Sequence, residues 1–286
     1  MVWREVIEKS AAFLLSKGID DGEAAAEFLA ARLLRCSRTG VHAHANETPP
    51  EKLLDAMRRG VVRLSRSEPL QYILGEWDFR TLTLKCDKRA LIPRPETEQL
   101  VTLALDCLKS KTWAAPPFVV DVGTGTGAII LSLAKEYKAP AVFLGTDVSE
   151  AAISLAAENA AAAGLKDKVK FVVMDGLDDF DEPGMIDLIV SNPPYISSAG
   201  CDRLDSRVKD YEPRLALDGG AEGLDFYDRY LADALNLLKP DGAVFFEIGE
   251  SQGDAVAKLM RDYGFTNISI AKDFAGHDRY ASAVLP

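Results

Sequence analysis

No apolar run in this 286-residue chain approaches the ~20 residues that a membrane-spanning helix requires. The opening Met1-Val-Trp-Arg-Glu also lacks the basic segment and long apolar core of a secretory signal. Both absences point to a cytoplasmic location. Cysteine is scarce: Cys36, Cys86, Cys107 and Cys201 lie far apart with no Cys-x-x-Cys pair, which fits reduced thiols better than a disulfide frame or a zinc site. His42 and His44 are neighbours, but no carboxylate or cysteine cluster completes a ligand set, so no metal is expected. Positive charge is in deficit. A formal net charge of -11 argues against tight, sequence-independent binding to DNA or RNA, which relies on neutralising phosphates with Lys and Arg. The arginines that do cluster at helical spacing, Arg58, Arg59, Arg63 and Arg66, read as a solvated helix face; Lys88, Arg89 and Arg94 follow them.

What is present is ordinary globular material. With 48% hydrophobic residues the chain can bury a full core, and its length suggests two domains. Residues 1–68 read as a small helical domain: Trp3, Val6, Ile7, Ala11, Leu14 and Leu15 recur at helical spacing, as do Phe28, Leu29, Leu33 and Leu34. Capping-box spacing at Asp20/Glu23 and Thr48/Glu51, with Pro49 suited to the first helical position, predicts where helices begin. No catalytic residue types gather here, so this part is expected to recognise or dock. Residues 69–95 read as a linker with a β-hairpin, because Trp77 to Leu84 alternates apolar and polar side chains. From 96 to 286 strands and helices alternate. That pattern predicts an α/β domain with a mainly parallel sheet covered by helices on both faces.

A glycine turn, Asp147 and the segment Asn192-Pro193-Pro194-Tyr195 each fall at the end of a predicted strand of this domain and point at one crevice. After residues 118–122 comes Gly123-Thr124-Gly125-Thr126-Gly127, a glycine turn before a helix, whose backbone can approach a ligand while the helix N-terminus offers free N–H groups. Asp147 ends the next strand, placed to accept hydrogen bonds from ribose hydroxyls. Asp175 ends the third and either bonds an adenine amino group or stands as a surface turn acid. These features alone leave two cofactors open, since Gly123-x-Gly125-x-x-Ala128 with Asp147 also satisfies the dinucleotide fingerprint.

Asn192-Pro193-Pro194-Tyr195, emerging after the apolar run 185–190, decides between them. Hydride transfer has no use for a preorganised NH2 clamp. Methylation of an amide or amino nitrogen does, because that lone pair is delocalised and poorly nucleophilic. If Asn192 and the Pro193 carbonyl accept the two hydrogens, the lone pair is directed at an electrophilic methyl, with Tyr195 stacked on the planar acceptor. The donor on this reading is S-adenosylmethionine, leaving as S-adenosylhomocysteine.

At these residues the chain resembles the class I S-adenosylmethionine-dependent methyltransferases of the Asn-Pro-Pro-Tyr type, and more closely the peptide chain release factor glutamine N5-methyltransferases (the HemK or PrmC family). The likeness runs almost end to end. It includes Glu68-Pro69-Leu70-Gln71-Tyr72-Ile73-Leu74-Gly75, Leu91-Ile92-Pro93-Arg94-Pro95-Glu96-Thr97-Glu98, Tyr211-Glu212-Pro213 with Ala216-Leu217, Gly220 with Gly223-Leu224, and Glu247-Ile248-Gly249. The resemblance implies a Rossmann-like domain behind a helical domain that contacts the protein substrate. It also implies methyl transfer to the glutamine of the Gly-Gly-Gln loop in class 1 release factors. On it, residues 123–127 and Asp147 hold the cofactor, Asn192 lies between cofactor and glutamine, and Pro193, Pro194 and Tyr195 line the substrate pocket. Gly176 is a departure, for some members carry a bulky residue there beside adenine.

Two other readings use the same residues. An adenine-N6 nucleic-acid methyltransferase would present the same exocyclic NH2 to Asn192, but the acidic balance and the lack of a basic target-reading segment weigh against it. A noncatalytic adaptor that keeps the cofactor fold is opposed by the intact pocket residues.

Overall fold

The computed structural model describes residues 1–286 and divides into two compact units, Met1–Glu76 with Asp205–Tyr211, and Trp77–Leu204 with Glu212–Pro286. No helix is long and apolar enough to cross a membrane.

The first unit is helical: α1 (Trp3–Ser16), α2 (Gly22–Leu34), a 3-10 turn (Thr39–His44) holding both histidines, α3 (Glu51–Leu64) and α4 (Leu70–Leu74). The apolar stripes seen in the sequence converge, with Trp3, Val6, Leu14, Leu29, Met57 and Leu64 in one core. Arg58 pairs with Glu51 and Asp55, and Arg63 with Glu68, as a solvated face does.

Neither expected capping box forms. α2 starts at Gly22 after Asp21, and α3 at Glu51 after Pro50, without side-chain caps. Pro50 explains the second case, since a residue before proline is driven out of the helical region and Pro49 cannot open the helix. The sequence reading ends the helical part at 68, whereas by contact it runs to Glu76 and also takes in Asp205–Tyr211. Tyr211 donates its hydroxyl to the Arg66 carbonyl at 2.6 Å, and Arg207 lies 3.6 Å from Asp21. Nothing periodic in so short a segment announces a partner more than a hundred residues away.

The second unit opens with a hairpin, β1 (Glu76–Phe79) and β2 (Leu82–Lys85), then α5 (Thr97–Ser110). Five parallel strands follow: β3 (Phe118–Val122), β4 (Val142–Asp147), β5 (Val169–Val173), β6 (Ile186–Ser191) and β7 (Leu238–Glu247). The helices are α6 (Ala128–Glu136), α7 (Glu150–Ala162), the short α8 (Ser198–Cys201) and α9 (Ser206–Lys209), of which α9 belongs to the first unit, then α10 (Asp225–Leu237) and α11 (Gly253–Asp262). Ser149 caps α7, its hydroxyl oxygen accepting from the Ala152 amide. The chain ends in β8 (Thr266–Lys272) and β9 (Asp278–Val284), whose polar residues also enter the ladder.

The sheet order is β5-β4-β3-β6-β7-β9-β8, with β9 antiparallel to both neighbours. Period-two alternation divides the strand side chains between two cores. Val119, Leu188, Val190 and Phe245 face α5 and α6, while Val120, Val122, Ile189, Val244 and Phe246 face α10 and α11. Both faces are therefore apolar, which is why these strands read as hydrophobic runs. Strand order reverses between β3 and β6, and the crevice at the carboxyl ends of that pair is where open α/β sheets bind ligands.

Candidate active site

The reversal point brings the glycine turn beside Asn192. β3 and β6 pair in register with Asp121 opposite Val190, and the buried Ser191 hydroxyl donates to the Val122 carbonyl at 2.6 Å. The residues after each strand, Gly123 and Asn192, therefore leave the sheet side by side.

Gly123, Gly125 and Gly127 all have positive φ (72°, 56° and 82°), a conformation that L side chains rarely adopt. At Gly127 a Cβ would also press on Leu131 and Ala156, so this glycine seats α6 rather than a ligand. Beneath the turn, Thr124 donates its amide to the Thr146 carbonyl and its hydroxyl to Asp121 Oδ2 at 2.6 Å. Asn159, buried on α7, donates to the Thr126 carbonyl at 2.9 Å and accepts from the Lys85 amide, tying the turn to β2. Asp121 is wholly buried, and burial pushes its carboxyl up to about 7 against the Thr124 bond. Its Oδ1 has no partner.

A cavity of about 330 Å³ opens over this turn. Gly123, Thr124, Gly125, Thr126, Asp147, Asp175, Gly176, Asn192 and Pro194 line it, so the strand-end motifs read from sequence do meet. Asp147 accepts from the Gly125 amide through Oδ2 and from the Ser149 amide through Oδ1, each at 2.9 Å. Burial raises its pKa although both amide bonds pull the other way. Each oxygen keeps a lone pair for hydroxyl donors.

Asp175, half-exposed at the cavity edge, is held by an arginine, as a surface turn acid can be. Arg229, on α10, donates to its Oδ1 at 2.8 Å, to its carbonyl at 2.9 Å and to Asp178 at 2.8 Å. At Gly176 a Cβ would come within 3.2 Å of the Tyr230 ring and 3.3 Å of the Arg229 guanidinium. The bulk missing at position 176 is thus supplied by α10, whose Phe226 and Tyr230 line the cavity with ring centroids 5.8 Å apart. Sequence reading missed both aromatics because nothing local links residues fifty positions apart.

Three expected site residues do not line the cavity: Gly127, Pro193 and Tyr195. Pro193 is buried, and its carbonyl accepts no hydrogen bond within the protein. Tyr195 packs against the second core and directs its hydroxyl at Glu247 Oε1, 3.4 Å away. Its carbonyl is held by Gln252 Nε2 at 3.0 Å. Burial, with the Glu247 carboxylate nearby, pushes the phenol up to about 12.

The segment 89–94 forms another wall of the cavity. Glu212, nearly inaccessible, fixes it by accepting from the Ile92 amide at 3.0 Å and from Arg94 at 2.5 Å. Arg94→Ala would strand that carboxylate with one amide. Urea unfolding should then show a loss of about 3 kcal/mol, the usual cost of breaking one side of a buried ion pair. Arg94→Ala/Glu212→Gln should recover part of it, since a neutral amide is cheaper to bury.

Residues 5–75 match the PrmC N-terminal domain and 118–268 a methyltransferase domain. The release factor glutamine methyltransferase of Fusobacterium nucleatum is 35% identical, covering 96% of this chain and 77% of its own; that of Geobacter sulfurreducens is 36% identical, covering 97% and 95%. Among solved structures, the hMettl16 catalytic domain in complex with MAT2A 3'UTR hairpin 6 superposes with a TM-score of 0.59 at 17% identity, over 81% of each chain, which speaks for the fold. With a Rossmann-like methyltransferase domain behind a PrmC-type helical domain, and relatives of over 30% identity along nearly its whole length, this chain belongs to the release factor glutamine methyltransferase family.

Proposed function

We propose that this protein methylates the side-chain amide nitrogen (N5) of the glutamine in the Gly-Gly-Gln loop of class 1 peptide chain release factors, using S-adenosylmethionine. The relatives' shared name supports the substrate, and the pocket chemistry supports the donor. The residues fit a nucleoside: Asp147 has acceptors to spare for ribose, Phe226 and Tyr230 offer an aromatic wall, and the backbone at Gly123 faces open space that a Cβ would enter. When bound, S-adenosylmethionine supplies an electrophilic methyl on a positively charged sulfur.

This chain's own part is to hold and orient. Asn192 and the Pro193 carbonyl grip the two hydrogens of the carboxamide, while Pro194 borders the slot in which it lies. The apolar wall excludes water, so these dipoles act at low dielectric as charge develops on nitrogen. The methylated nitrogen then loses one N–H proton, which passes to bulk water as the site opens and the product leaves. The helical unit, without chemistry of its own, serves as the surface that recognises the release factor. The partner is that protein alone, with neither nucleic acid nor membrane involved, and the reaction is cytoplasmic.

One observation carries the reading: Asn192 lines the cavity beside the glycine turn and its Oδ1 makes no hydrogen bond within the protein. Incubation with a purified class 1 release factor and methyl-labelled donor should place label in the Gly-Gly-Gln peptide. Undiminished labelling of a release factor carrying Gln→Ala in that loop would reject it.

A further inference from the structure

Behind Asn192 runs a chain of hydrogen bonds that reaches three elements. Asn192 Nδ2 donates to Thr97 Oγ1 at 3.2 Å, and the Thr97 hydroxyl donates to Glu247 Oε2 at 2.6 Å. Thr97 opens α5, Glu247 ends β7, and both are buried, at 5% and 1% exposure. Glu247 is an acid closing an otherwise apolar strand end, and nothing in the reaction described so far uses it.

Counting hydrogens shows what the chain does. A threonine hydroxyl has one hydrogen, and an ionised carboxylate has none. Thr97 must give its hydrogen to Glu247 and can then only accept from Asn192. The Asn192 amide must therefore turn its NH2 toward Thr97, which leaves Oδ1 toward the cavity.

We infer that Thr97 and Glu247 are positioning residues that set the polarity of this chain, so that Asn192 presents its oxygen and not its NH2 to the substrate carboxamide. The inference rests on the glutamine methyltransferase reading and deepens it. With Glu247 protonated the chain can run backwards. The carboxyl then donates to Thr97, Thr97 donates to Asn192 Oδ1, and the NH2 of Asn192 meets the NH2 of the substrate, donor against donor.

The surroundings of Glu247 make that reversal accessible near neutrality. Burial pushes its carboxyl up to about 7 against the Thr97 bond, the charge of Arg279 on β9 and the Tyr195 hydroxyl, while Glu96 before α5 pushes the same way as burial. Tyr280 on β9 stands opposite Glu247 in the ladder, and Tyr227 of α10 donates to the Glu247 carbonyl at 2.9 Å. The sign is definite. Because the folded pKa lies above the unfolded one, the carboxyl's contribution to stability is full in acid and fades as pH rises through about 7. Turnover runs the opposite way and is lost as pH falls through the same value.

The test uses the full-length enzyme with a release factor, donor saturating. Thr97→Val keeps the shape of the side chain and removes the hydroxyl; kcat should fall about 10- to 100-fold, as misorientation of a reacting group does, with donor Kd moving less than threefold. Thr97→Ser should recover most of that turnover. Wild-type kcat should show an acid limb near pH 7, and Glu247→Gln, which cannot titrate, should lack it. The Asn192 side-chain NH2 resonance, assigned by its absence in Asn192→Asp, should be protected from exchange in wild type and Thr97→Ser and unprotected in Thr97→Val. Wild-type kcat in Thr97→Val, or an acid limb that persists in Glu247→Gln, overturns the inference. A wild-type enzyme that leaves the Gly-Gly-Gln glutamine unlabelled instead rejects the function on which it rests.

Discussion

Asn192→Ala should lower kcat about 10²- to 10³-fold at saturating donor, the range observed when one preorganised dipole at a reacting centre is removed. Asn192 is the side chain that combines a free acceptor with a place on the cavity wall beside the glycine turn. On the proposed grip, alanine would leave the substrate carboxamide to the Pro193 carbonyl alone, so its nitrogen would swing and its lone pair would no longer be aimed. Binding of S-adenosylhomocysteine, followed by calorimetry, should weaken less than tenfold, because the proposed acceptors for ribose are the Asp147 oxygens, which the substitution leaves in place. The fold should hold, since Asn192 is only partly buried and Thr97 keeps its bond to Glu247. Turnover within tenfold of wild type would show that residues 192–195 do not grip the acceptor.

The same residue marks how far the sequence could be read. Strand-end position, glycine turn and acidic residue each leave a local trace, so Gly123, Asp147 and Asn192 were legible before any fold was known. Pairing of β3 with β6 then turns three separate traces into one crevice. What stayed hidden depends on contacts between distant elements. The Thr97 side chain reads as a helix start and Glu247 as the last letter of a strand, and only the meeting of α5 with β7 makes them one chain. Phe226 and Tyr230 look like the apolar stripe of an amphipathic helix, which they also are. Tyr195, an aromatic at the end of a site motif, packs its ring against the second core and aims its hydroxyl at Glu247. Side-chain direction after a proline pair is set by tertiary partners, and no spacing rule encodes them.

Asp147→Ala should have the second large effect, and on binding in place of turnover. The carboxylate spends one lone pair of each oxygen on the Gly125 and Ser149 amides and has one on each left for ribose. Hydrogen bonds to a charged acceptor are worth about 1.5–3 kcal/mol each, and loosening of the glycine turn adds to the loss, so donor Kd should rise by at least about 100-fold. At saturating donor, kcat should change less than tenfold, since Asn192 and its supports are untouched. Asp147→Asn is not a mild substitute. Its NH2 would face one of the two amide N–H groups, donor against donor, so Kd should still rise at least tenfold. Burial raises the pKa of Asp147, and protonation removes an acceptor, so wild-type donor affinity should begin to fall with acid above the usual carboxylate range. That decline should vanish in Asp147→Ala. Calorimetric titration of both variants from pH 8 downward measures all of this at once. An unchanged Kd in Asp147→Ala would remove the carboxylate from the cofactor site, and a fall confined to kcat would move it to the chemical step.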